Sequence, residues 1–179
     1  MVIEVGMRVI QKLCDRIGIV SEWSGRIIGF LMIVLVLNIV YDVFARYVFN
    51  APTIWSYGLS YMTGTAIIAM GMCYVYYHHA NVTIDIIYSR LPLKGRLMID
   101  VGLTLLCFFP LVLMLTKVWA QETWQSYVLK EVAGETIWYP PLWPIKLVVT
   151  VGFGLLFLQG LATFVHDVIS LVKGGKEPW

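Results

Sequence analysis

Few residues in this sequence have types that could support chemistry, and their spacing argues against most of it. Three histidines stand at His78, His79 and His166. Imidazoles from two helices can serve as axial haem ligands, so a haem- or quinone-binding subunit of a redox enzyme is the alternative to weigh. Haem ligands of a four-helix cytochrome sit within the apolar spans, whereas these three fall at or near the rim of theirs. Asp42 and Arg46 lie four residues apart on one helical face and can pair. A charge at such depth points at protein rather than lipid. A self-paired carboxylate is a poor mobile-ion site, so a structural ion pair or a subunit contact is expected there, not an ion pathway. Cys14, Cys73 and Cys107 are far apart and form no CxxC pair, which points to packing rather than thiol chemistry. There is no HExxH, no glycine-rich phosphate loop and no pair of mid-span carboxylates. We expect no enzyme activity, no metal and no cofactor.

The chain around these residues is very apolar. Of 179 residues, 59% are hydrophobic and 13% charged, with mean hydropathy +0.78; an ordinary globular domain carries about 25% charged residues. Between Arg46 and Asp85, 38 residues pass without one Asp, Glu, Lys or Arg. In a bilayer that run is the end of one span, a turn at Asn50-Ala51-Pro52 and a whole second span. The expected fold is therefore an all-α membrane protein of one domain, 1–179, with four transmembrane helices over about 27–49, 56–77, 97–120 and 145–172. The first, 23 residues long, reaches about 34 Å, enough for roughly 30 Å of hydrocarbon.

Residues 1–23 read as an amphipathic helix. Ile3, Met7, Ile10, Leu13, Cys14 and Ile17 recur at helical spacing, with Arg8, Lys12, Asp15 and Arg16 elsewhere on the wheel. Such a helix lies in the headgroup plane, and Ser24-Gly25-Arg26 is expected to break it from the first span. No cleavable signal is expected. In the second span Ser60, Gly64 and Gly71 fall near one face, where small residues let backbones approach. Pro110 should kink the third span. Asn38 and Gln159 are the polar residues placed near mid-depth. Gln121 to Pro144 forms the one sizeable loop, rich in aromatics suited to the interface. Gly152, Gly154 and Gly160 should allow close packing of the fourth span.

Nine of the thirteen Lys and Arg fall on one side if the N-terminus is cytoplasmic: Arg8, Lys12, Arg16, Arg26, Arg90, Lys94, Arg96, Lys173 and Lys176. Both termini are thus expected in the cytoplasm. The net charge of +2 comes with no basic patch, so no nucleic-acid partner is expected. No span shows a broken helix with clustered polar groups, as a self-sufficient transporter would.

Three stretches carry a resemblance to a known family. The first span ends in Arg46-Tyr47-Val48-Phe49-Asn50, followed by Pro52 and Trp55-Ser56. The next loop has Val82-Thr83-Ile84-Asp85-Ile86-Ile87, then Leu91-Pro92. An aromatic, proline-rich stretch from Trp138 to Pro144 leads into Gly152 and Leu158-Gln159. In order and spacing these resemble the small membrane subunit (DctQ type) of tripartite ATP-independent periplasmic, or TRAP, transporters. The chain departs from that pattern at Tyr57-Gly58-Leu59, where glutamates often follow the Trp-Ser pair, and at Asn81, where many members have a histidine. The resemblance implies a scaffold subunit in a bacterial inner membrane. Its partners would be membrane lipids, a large DctM-type membrane subunit and a periplasmic DctP-type solute-binding protein. The large subunit would carry the solute and sodium sites, move as an elevator and import an organic anion such as a carboxylate. Asp42, Arg46, Trp55, Asp85 and Arg90 are the positions expected to anchor fold and partner contacts.

Overall fold

A computed structural model of the chain describes residues 2–78, 93–134 and 138–172, with α1 side chains described from Gly18 onward. Each apolar run is helical, because backbone groups in lipid must satisfy one another. Helix α1 is Val2–Val48 and α2 is Ser56–Tyr77. Helix α3, Leu93–Leu103, passes through a π-helical turn at Thr104–Phe108 into α4, Phe109–Val128. Helix α5 is Trp143–Val172. Four segments are long and apolar enough to cross a membrane: Gly18–Val48, Ser56–Tyr77, Met98–Val128 and Trp143–Ile169. The fold is all-α, without a strand among the described residues.

The helices stand in a row rather than a closed ring. α1 packs on α2, α2 on α5, and α5 on α4, while α1 and α4 have no extensive contact. α1 reaches α5 as well, across one end of α2. The interface side of α1 is a stripe at three–four spacing: Gly18, Ser21, Gly25, Ile28, Leu31, Leu35, Asn38, Asp42 and Ala45 are buried or half-buried. Such a stripe keeps one narrow seam against a neighbouring helix. The rest of α1 is turned outward, with Phe30 66% exposed.

Helix α1 does not break at Ser24-Gly25-Arg26. Gly25 lies under the Tyr74 ring and Gly18 under the Tyr77 ring, so these small residues are sockets for aromatics of α2. The Ser24 hydroxyl donates to the Ser21 carbonyl (2.6 Å), satisfying itself within the helix. The disturbance expected at Pro110 takes the form of a π turn. Proline supplies no N–H and crowds the preceding turn, and that turn widens: the Phe109 N–H bonds back to the Thr104 carbonyl.

The core is a seam of small residues between α2 and α5. A Cβ on Gly152 would stand 2.6 Å from the Ala69 carbonyl oxygen, so the two backbones nearly touch. Ala66, Ala69 and Cys73 face it from α2, with Val149, Leu156 and Ala162 buried on α5. The Phe108 ring lies against Gly160 and stacks on Tyr76 at 5.0 Å. Two expectations are corrected here. The close-packed face of α2 is Ser56, Gly58, Thr63, Ala66, Ala69 and Cys73, not Ser60, Gly64 and Gly71. Gly64 and Gly154 have open space where a Cβ would go. The reason is that α2 has neighbours on two sides, and methyl-sized residues already suffice at the seam.

Candidate functional site

The spans carry few polar side chains, and the structure gathers most of them into three ties between helices. The first closes the hairpin from α1 to α2. Asn50 adopts a left-handed φ of 51°, which lets the Ala51 N–H turn back onto the Ala45 carbonyl at 3.2 Å. The chain then returns past Asp42. Asp42 Oδ1 accepts the Thr53 N–H (3.2 Å) and the Thr53 hydroxyl, while Oδ2 accepts from Arg46 at 2.8 Å. Asp42 therefore pairs within the chain, and both of its oxygens are engaged. An ion pathway through it would first have to dismantle the hairpin. Trp55 stacks on Tyr41 beside this knot, with ring centroids 5.9 Å apart.

Asn38 reinforces the same hairpin one turn further down. Its amide nitrogen donates to the Ser56 carbonyl (3.0 Å) and the Ser60 hydroxyl (2.8 Å). It stands level with the first turn of α2, not at the mid-depth its place in the sequence suggests, because α1 overhangs α2 by about 15 Å there.

The second tie lies at the opposite end of the spans. The Ser21 hydroxyl donates to Gln159 Oε1 (2.9 Å) and lies 3.1 Å from the Cys73 sulfur. One hydroxyl thus joins α1, α2 and α5, and all three residues are buried. Gln159 faces protein, as a polar group in an apolar span must.

The third tie straps α4 to α5. The helix α4 ends at Val128 in a Schellman motif: Glu131 N–H bonds to the Ser126 carbonyl (3.0 Å) and Lys130 N–H to the Tyr127 carbonyl (3.4 Å), with Lys130 at φ 49°. Helix α4 thus takes over residues 121–128 of the expected loop. The remaining segment folds back through an antiparallel bridge between Val132 and Pro141. Lys146 Nζ reaches Glu131 at 2.7 Å and Glu122 at 3.4 Å. That ammonium holds the Glu131 carboxyl below its usual range. Deeper in, the hydroxyls of Thr123 and Thr150 lie 2.9 Å apart.

Of the five residues expected to anchor contacts, Asp42, Arg46 and Trp55 meet at the hairpin. Asp85 and Arg90 lie outside the described residues, as do His79 and the His166 side chain. His78 Nε2 is 3.1 Å from a Glu22 carboxylate oxygen, and its ring packs on Tyr74 at 4.4 Å. One of the three imidazoles is thus already turned onto α1. Thr53, Ser21 and Lys146 carry ties that the sequence reading does not single out. The three–four spacing of Gly18, Ser21, Gly25 and Ile28 was the available signal for Ser21.

Row-packed helices, tied to one another by their own polar groups, define a helical membrane protein of the multi-pass class. The family model for tripartite ATP-independent periplasmic transporters, DctQ component, matches residues 22–169. The chain belongs to this family and is the small membrane subunit of such a transporter. No curated sequence matches it significantly.

Proposed function

We propose that this chain is the stationary scaffold of its transporter. In this reading it packs beside the fixed part of a large DctM-type subunit and widens the wall against which that subunit's elevator slides. The large subunit carries the solute and sodium sites, and a DctP-type periplasmic protein delivers an organic anion, a carboxylate. The chain sits in the bacterial inner membrane with both termini cytoplasmic. Asp42, Arg46, Trp55, Asp85 and Arg90 serve as anchors for fold and partner contacts, with no catalytic role.

One observation carries the reading: most of the polar side chains named above are engaged in ties within the chain, Asn38 Oδ1 and the Ser126 hydroxyl apart, while the outward faces of α1 and α4 are broad and apolar. A row of helices whose ends do not meet has nothing with which to enclose an alternating-access route. It does offer long apolar flanks to a neighbour. The test is retrieval of the tagged chain in mild detergent, with uptake measured in cells lacking it. A large multi-span subunit should come with it, and solute uptake should be lost on its deletion. Purification as a lone stable protein with uptake unchanged by deletion, or uptake by the purified chain alone in liposomes, would overturn the proposal.

A further inference from the structure

Between α2 and α4, above the face of α5 they leave uncovered, lies a cavity of about 190 Å³. Its wall runs down α2 from Tyr57 to Thr65, a distance of about 12 Å along the helix. Trp119 and Val149 stand across from it, and Pro140 in the strap helps to roof it. Three features bear on what fills it. Two of the polar side chains in its lining are engaged elsewhere: the Thr65 hydroxyl donates to the Tyr61 carbonyl (2.9 Å), and Lys146 is held by Glu131 and Glu122. An apolar hollow of this kind stays dry and takes an apolar ligand, here with the volume of about six liquid waters. The slot is long in the direction of the helices, which is the direction an acyl chain takes in a leaflet. A side chain from a neighbouring protein would enter across the helices and fill only part of that length. Finally, Tyr57 and Tyr61, both exposed, stand at its mouth. Tyrosine is the kind of residue that settles where hydrocarbon meets headgroup.

We propose that this slot binds one acyl chain of a phospholipid from the leaflet on the hairpin side. α2 and α4 have no extensive direct contact, so the chain would supply the missing filling between them and support the strap from below. This inference does not depend on which subunit lies alongside.

The test uses the full chain and two filled slots, Thr65→Phe and Met62→Trp, with Leu111→Phe on the open face of α4 as control. Native mass spectrometry in mild detergent should find a phospholipid retained by the wild-type chain and by Leu111→Phe. Retention should fall roughly tenfold in each filled variant, with helical content unchanged by circular dichroism. In vesicles of phosphatidylethanolamine bearing a diazirine midway along one acyl chain, cross-links should fall on Met62 and Trp119 and vanish in Thr65→Phe. Cross-links spread evenly over the outward faces would mean annular lipid only and overturn the site. So would equal retention by the filled variants, or a slot that yields cross-links to the large subunit in place of lipid.

Discussion

The seam and the strap hold the same helix, α5, by opposite means. At the seam, Gly152 lets α5 meet the Ala69 backbone of α2 with no charge and no room for another carbon. At the strap, α5 is held by one lysine and two half-exposed glutamates, Glu122 and Glu131. Lipid offers no hydrophobic force between helices, so the seam depends on the number of atom contacts that close approach allows. Salt and pH leave such contacts alone. The strap depends on charge in a wet setting, where screening weakens it. The difference indicates which part of the molecule is fixed and which can be adjusted.

The seam can be broken directly. Gly152→Leu should destabilise the protein by about 3 kcal/mol or more, because the obstructing atoms are backbone and cannot turn aside. Gly154→Leu, two residues on but facing open space, should change stability by less than about 0.5 kcal/mol. Thermal melts in detergent, followed by circular dichroism, would measure both; equal effects would remove the seam from the account. The hairpin knot stands between the two regimes. Asp42→Ala should lower the melting point less than Gly152→Leu does, and should open the Asn50–Trp55 turn to protease, since Thr53 and Arg46 lose their acceptor together. Asp42→Asn keeps an acceptor for Thr53 and should recover most of the loss. Arg46→Ala, at a side chain 59% exposed, should do little.

The same contrast explains what could be read from the sequence. Four spans were legible because apolar length is a local property. The pairing of Asp42 with Arg46 was legible because four residues separate them. Thr53 was not, since its bond to Asp42 exists only once Asn50 reverses the chain. Gly25 looked like a break because a glycine beside a serine usually is one; only the Tyr74 ring, 49 residues away in sequence, reveals a socket. Among the fourth-span glycines, nothing in the sequence separates Gly152 from Gly154. Which of them meets Ala69 is settled by the rotation of α5 against α2, a property of the packed pair.

The strap should respond weakly and in a predictable direction. Lys130 sits at φ 49°, a conformation that strains any residue but glycine, so Lys130→Gly should stabilise the protein by about 1 kcal/mol after glycine's greater unfolded-state entropy is counted. The smallest effect is the pH response of Glu131. Its folded carboxyl titrates below the ordinary value of 4.5, chiefly because Lys146 bonds to the ionised form. A group whose pKa is depressed on folding contributes its full stabilisation above the unfolded value and loses it as pH falls through the folded one. The strap should therefore be unchanged from neutral pH to about 4.5 and loosen below that. Glu131→Gln should flatten this part of the melting-temperature profile, and raised salt should shrink it. Gly152→Leu should leave its shape untouched, because nothing at the seam ionises in the acid range. A seam variant that altered the acid limb would show that the two regions are coupled through α5 rather than independent.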